Sequence, residues 1–154
     1  MSEVEITVVD PEGEEARFCL SSYYAELAER FEEGFDPGES SAPDAAVFRE
    51  PSGAFLVARG DGQPVGCGAI KYEADGTATI KRMWVSPRAR GLGLGRRLLS
   101  ELEGLARGRG IGVVRLDTNR ALTEAIALYR SAGYVGIDRF NDERYAHHWF
   151  EKRL

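Results

Sequence analysis

Ile80-Lys81-Arg82-Met83-Trp84-Val85-Ser86-Pro87-Arg88-Ala89-Arg90-Gly91-Leu92-Gly93-Leu94-Gly95-Arg96-Arg97-Leu98-Leu99 decides how the rest of the chain is read. A strand-like run stops at Pro87, a glycine-rich loop follows, and Leu98, Leu99, Leu102, Leu105 and Ala106 then recur at helical spacing. A strand therefore runs through a loop into the start of a helix. Amides in the first turn of a helix lack intrahelical acceptors and carry partial positive charge, so they bind anions where no Cβ blocks the approach. Gly91, Gly93 and Gly95 remove that block, and Arg88, Arg90, Arg96 and Arg97 add formal charge suited to a polyphosphate. A P-loop needs Lys and then Ser or Thr after its last glycine, where this chain has Arg96 and Arg97. A dinucleotide loop of the form G-x-G-x-x-G fits poorly, because counting from Gly91 or Gly93 puts Arg96 or Leu98 at the third glycine.

Upstream, Thr77 to Val85 is the last of three strand-like runs, after Ala54 to Arg59 and Val65 to Tyr72. Turn residues at 60–64 and 74–76 separate them, so the middle of the chain predicts an antiparallel meander. Further back, Ile6 to Val9 reads as an opening strand, and Leu20, Tyr24, Leu27 and Phe31 mark a helix from about Glu14 to Phe35. Residues 36–53, rich in Pro, Gly and Ser, read as a loop with one short helical turn. Downstream, the helix ends near Gly110 and Val113 to Asp117 is strand-like. Leu122, Ala125, Tyr129 and Ala132 then mark a helix closed by Gly133, and strands follow at Tyr134 to Ile137 and Tyr145 to Phe150. The expected fold is α+β (mixed α/β): a central mixed, mostly antiparallel sheet flanked by helices.

The 154 residues are the size of one domain, and 43% hydrophobic with 29% charged residues describes a globular chain. Cys19 and Cys67 stand far apart in no metal-like or redox-like spacing, which suits a reducing cytoplasm. Met1 to Asp10 is acidic without a basic region and apolar run, and no stretch approaches ~18 apolar residues, so neither secretion nor a membrane partner is expected. The net charge of −5 argues against nucleic acid as a partner. It averages two unlike parts: residues 1–62 carry 4 Arg against 15 Asp and Glu, a net −11, and residues 63–154 carry 16 Lys and Arg against 10 acidic residues, a net +6. His147 and His148, adjacent on an expected strand, would face opposite ways and make no shared metal site.

Arg90-Gly91-Leu92-Gly93-Leu94-Gly95 matches the pattern R/Q-x-x-G-x-G/A, and Ala125-Ile126-Ala127-Leu128-Tyr129-Arg130-Ser131-Ala132-Gly133-Tyr134 matches A-I-x-L-Y-x-x-x-G-F/Y. In this order and separation the two signatures resemble those of the GNAT superfamily of acyl-CoA-dependent N-acetyltransferases. The resemblance covers about residues 54–154 well and residues 1–53 in general layout.

The resemblance implies an N-acetyltransferase domain over 1–154 that moves an acetyl group from acetyl-CoA to a primary amine of a small molecule or peptide, with no metal. A non-catalytic acyl-CoA-binding module is the alternative. The pantetheine arm would lie in a splay between the strand ending at Val85 and the strand Val113 to Asp117, against Met83, Trp84 and Val85. The pyrophosphate would sit on Arg90, Gly91, Leu92, Gly93, Leu94, Gly95 and Arg96. By resemblance Tyr129 is the general acid for the leaving thiolate, and Asn119 is a further cofactor contact that reads equally as a helix N-cap. Tyr23, Phe35 and Asp36 would form an aromatic, acidic wall around the acceptor, and the −11 segment would favour a cationic one. A homodimer is left open. Two positions depart from the family pattern. Thr79 stands where many members carry a glutamate base, and Leu122 where many carry Asn. Water, Glu26, Glu73 or Asp117 is then left to deprotonate the amine.

Overall fold

The structure, a computed structural model, describes residues 3–40 and 44–154. Residues 1–2 of the acidic N-terminus and 41–43 of the expected loop lie outside the described residues. The elements are β1 (Val4–Val9), α1 (Glu14–Arg30), β2 (Gly53–Gly60), β3 (Gln63–Tyr72), β4 (Ala78–Val85), α2 (Leu94–Gly108), β5 (Val113–Thr118), α3 (Thr123–Ser131), β6 (Val135–Ile137) and β7 (His148–Arg153). They build a seven-stranded sheet in the order β1-β2-β3-β4-β5-β7-β6. Every neighbouring pair is antiparallel except β4 and β5. The mixed, mostly antiparallel sheet expected from the sequence is the one observed.

The meander forms where expected, with Asp61 and Gly62 at φ 53° and 77° making the tight β2–β3 turn that a right-twisted hairpin prefers. One sheet face packs Ile80, Leu116 and Phe150 against Leu98 and Leu102 of α2 and Ile126 and Tyr129 of α3. The other packs Phe55, Val57, Cys67, Ala69 and Trp84 against Ala16 and Cys19 of α1. Small residues let α1 lie close to the sheet, so its buried positions are Ala16, Cys19 and Leu27, and Leu20 and Tyr24 are only half-buried. Both cysteines are buried free thiols.

Three boundaries differ from the sequence reading. α1 stops at Arg30 instead of Phe35, because Phe31 turns extended (φ −79°, ψ 134°) and joins Leu27 and Tyr145 in a separate apolar cluster. The 36–53 loop holds two short 3₁₀ turns, Pro37–Glu39 and Ala45–Phe48, instead of one. The last strand is His148–Arg153 instead of Tyr145 to Phe150, since pairing with β5 sets His148 opposite Thr118 and Arg153 opposite Val113. His147 therefore precedes the strand, and its Nδ1 accepts from the Arg120 amide at 3.1 Å.

A bulge shapes the centre of the sheet. The β3–β4 register shifts between Cys67 and Ala69, and Arg82 takes φ 57°. A bulge bends its strand and increases twist. β4 accordingly pairs with β5 only at Ala78–Val114 and Thr79–Arg115, and from Ile80 onward the two strands part.

Candidate active site

Two cavities open along the parting strands. The first, a cleft of about 320 Å³, runs from Met83, Trp84 and Val85 to the loop at Arg90, Gly91, Gly93, Leu94, Gly95 and Arg96, and Ala125, Leu128 and Tyr129 of α3 also line it. The second lies on the α1 side, bounded by Tyr23, Tyr24, Phe31 and Phe35, by Lys81 and Asp117 on the two strands, and by Glu143 and Tyr145 before β7. Tyr23, Met83, Leu122, Ala125 and Tyr129 line both, so the cavities adjoin there.

The loop carries open donors. Arg97 N is the first amide to reach an i−4 carbonyl, that of Gly93 at 3.2 Å, which leaves the amides of Leu94, Gly95 and Arg96 without intrahelical acceptors. Gly93 precedes α2 at φ 76° with nothing within 4 Å of where a Cβ would stand. Gly95 serves a different purpose: a Cβ there would lie 3.0 Å from Leu128 Cδ2, so glycine is what lets α2 meet α3. Arg90 is held by Val85 O, 3.0 Å from its Nε, and by Glu26. Arg96 reaches Ser131 Oγ, and Arg97 faces away to Val4 O. The loop thus forms a cradle of amides and arginines that fits a pyrophosphate.

The ion pairs at the mouth of this cleft were not legible in the spacing. Arg30 of α1 bridges Glu26 and, on α3, Glu124, whose carboxyl is held at about 2 chiefly by the Arg30 hydrogen bond. Glu26, one of the candidate bases, is thus engaged by two arginines.

Tyr129 is 6% exposed and packs against Tyr134 and Phe150, with no hydrogen-bond partner for its hydroxyl among the described residues. Burial, then the charge of Asp117, pushes its pKa well above the usual tyrosine value, so the hydroxyl keeps its proton at neutral pH. Tyr23 is pushed up as well, by burial first and then by Tyr129 and Asp117.

The other expected site residues divide. Tyr23 and Phe35 stand in the wall of the second cavity. Asp36 does not: it is exposed and its Oδ1 accepts from Gly38 N at 2.9 Å, capping the 37–39 turn. Leu92 is 59% exposed and outside the cleft lining. Trp84 is mostly buried beneath α1. Asn119 donates to Tyr145 O at 2.7 Å and accepts from Ala121 N at 2.8 Å, which fixes the turn before α3. No acidic residue of 1–62 lines the second cavity; its carboxylates, Asp117 and Glu143, come from the basic part of the chain. Glu73 sits in a separate cleft with Lys71 and Thr77. Among the described residues no group of three or more His, Cys, Asp or Glu is placed to hold a metal ion, and no helix is long and apolar enough to cross a membrane.

Known proteins share part of this sequence and this fold. An IAA acetyltransferase of Azospirillum brasilense is 43% identical over 101 residues, covering 64% of this chain and 66%, just under two thirds, of its own length. An acetyltransferase of the GNAT family from Staphylococcus aureus superposes with a TM-score of 0.84 at 17% identity over 99% of both chains. The PaiA N-acetyltransferase of Thermoplasma acidophilum, solved in complex with coenzyme A, superposes with a TM-score of 0.75 at 18% identity over 99% of both chains. The family model described as the acetyltransferase (GNAT) family matches residues 20–134, and with the splayed strands, the glycine loop and Tyr129 between two cavities, the chain belongs to that family.

Proposed function

We propose that this chain is an N-acetyltransferase that moves an acetyl group from acetyl-CoA to a primary amine by direct attack with both substrates bound. The observation that carries the reading is Tyr129, protonated and buried where the loop-side cleft adjoins the cavity on the α1 side. Acetyl-CoA supplies an activated acyl thioester when bound. The amides of Leu94, Gly95 and Arg96 and the Arg96 guanidinium bind its pyrophosphate. The β4 edge from Met83 to Val85 turns toward the gap, with no pairing to β5 beyond Thr79, and orients the pantetheine arm. The amine sheds its ammonium proton to water and attacks the thioester carbonyl carbon, the carbon–sulfur bond breaks, and Tyr129 gives its hydroxyl proton to the departing thiolate and regains one from the acylated nitrogen. The walls of Tyr23, Phe31 and Phe35 limit water around the reacting atoms.

The acceptor is an amine that is cationic in solution. The support is now the Asp117 and Glu143 carboxylates of the cavity wall in place of the acidity of residues 1–62. Thr79 in place of a strand carboxylate keeps the second reading, an acyl-CoA-binding module without transfer. Incubation with acetyl-CoA and a panel of amines, following free thiol and acetylated product, separates the two. Amine-dependent thiol release establishes the transferase. Tight acetyl-CoA binding with no product from any amine establishes the module.

A further inference from the structure

Asp117 is a buried carboxylate with one oxygen engaged and one open. Its side chain is 9% exposed. Lys81 Nζ, at 3.0 Å, and Asn141 Nδ2, at 2.7 Å, both donate to Oδ2. Asn141 is fixed in turn by Trp149 Nε1, 2.9 Å from its Oδ1. Oδ1 accepts no hydrogen bond among the described residues, and Asp117 borders the acceptor-side cavity alone. A carboxylate has about four lone-pair sites, and leaving a buried one unmatched is unfavourable, so an open oxygen facing a cavity calls for a donor from the ligand. Its charge is close enough to raise the pKa of Tyr129, which puts it beside the reacting centre.

The opposite side of the same cavity is aromatic. Ring centroids of Tyr24 and Phe35 are 5.3 Å apart, those of Phe31 and Phe35 5.9 Å, and those of Phe35 and Tyr145 4.8 Å. Such a surface favours a planar apolar group over a polar chain.

We propose that Asp117 anchors the acceptor through Oδ1, which receives the ammonium, and that the facing ring wall takes a planar apolar body joined to the amine by a short chain. The inference rests on the acetyl transfer proposed above and deepens it by naming the anchor and the class of acceptor. Lys81 and Asn141 act as positioning residues, since they fix Oδ2 and thereby aim Oδ1.

The test uses 2-phenylethylamine as acceptor and 2-phenylethanol as its neutral competitor. Asp117→Asn keeps the shape and an acceptor oxygen but removes the charge. The KM for the amine should rise by about tenfold or more, as expected for a lost charge-assisted hydrogen bond, with the KM for acetyl-CoA and the inhibition constant of the alcohol within about twofold of wild type. An unchanged amine KM in a folded variant, or an equal loss for amine and alcohol, overturns the anchor. The wild type provides an independent check: N,N-dimethyl-2-phenylethylamine, whose protonated nitrogen keeps one N–H donor but cannot form a neutral amide, should compete about tenfold better than the alcohol, and equal competition overturns the anchor whether or not the variant folds. Wild-type kcat/KM should also favour 2-phenylethylamine over glycinamide by about tenfold, and parity overturns the apolar class. A wild type that binds acetyl-CoA but acetylates no amine overturns the transfer reading itself, an outcome distinct from an active wild type with an indifferent Asp117→Asn.

Discussion

Thr79 Oγ1 donates a 2.7 Å hydrogen bond to Glu73 Oε2, so a carboxylate from the β3–β4 turn reaches the β4 position where the family pattern carries its own. Glu73 is also paired with Lys71 and lines neither of the two cavities that Tyr129 joins. Its place outside both cavities makes it a structural partner of Thr79. Glu73→Gln should leave kcat/KM within about twofold across pH 6–9, measured as a pH–rate profile. A lost or displaced alkaline rise would return Glu73 to the role of base.

Tyr129→Phe removes one hydroxyl from a site that otherwise keeps its packing. On the role proposed for that hydroxyl at the leaving thiolate, kcat should fall while the KM for acetyl-CoA holds, by about tenfold to a hundredfold, the lower end of acid–base contributions for so good a leaving group. A fall in thermal stability with normal turnover would make the residue a core aromatic only.

The buried tyrosines also set a pH dependence of stability. Tyr23, Tyr129 and Tyr134 all have pKa values raised in the fold by burial first, with Tyr134 further raised by its hydrogen bond to Glu103. In the unfolded chain they ionise near the ordinary value of 10.0. Their contribution is therefore whole below that pH and is lost above it, as the unfolded chain sheds protons that the fold retains. Chemical denaturation at pH 8 and pH 11 should show a steeper stability loss for wild type than for Tyr134→Phe.

Glu124 gives the opposite slope. Its pKa falls from 4.5 to about 2 in the fold, so its contribution is present above 4.5 and disappears as the pH drops toward 2. With Glu124 52% exposed the effect is modest and salt-sensitive. Glu124→Gln should flatten the acid limb of a thermal-stability profile between pH 5 and pH 2.5 in low salt, and a limb identical to wild type would discount the α1–α3 pair.

The two loop glycines predict separable failures. Alanine at Gly93 meets no atom within 4 Å but must hold φ 76°, so the chain folds with a stability loss of about 1–2 kcal/mol and the strain falls on the residue that leads into the open loop amides. Gly95→Ala sets its methyl against Leu128 and loses melting temperature by packing strain of about 1–3 kcal/mol. Calorimetric titration with acetyl-CoA beside thermal unfolding should show affinity falling more in Gly93→Ala and stability falling more in Gly95→Ala.

Much of this molecule was readable along the chain. The loop and α2 were legible because glycines, arginines and a leucine stripe all act over a few residues, and the meander because turn residues mark its corners. The end of α1 was not, since the same four-residue step that continues a helix places Phe31 against Tyr145, more than a hundred residues away. The start of β7 was hidden because its limits are set by register with β5. The acceptor wall was half read: Tyr23 and Phe35 stand in it, but Lys81 with Asp117 and Ser40 with Glu143 are pairings across long loops that no local spacing announces. Asp36 misled because an acid beside a proline reads equally as a ligand or a turn cap.

The parting of β4 from β5 also sets how such a chain can diversify. The cleft proposed for the donor is drawn mainly from residues 83–96 and 122–129, while the cavity proposed for the acceptor takes its distinctive walls from 24–40 and 117–146. Lineages can therefore redraw Phe31, Phe35 or Tyr145 and acquire a new acceptor while the segments that hold the donor pass down intact. The gap acts as a border of inheritance, with Tyr23, Met83, Leu122, Ala125 and Tyr129 as the common ground that both sides must respect.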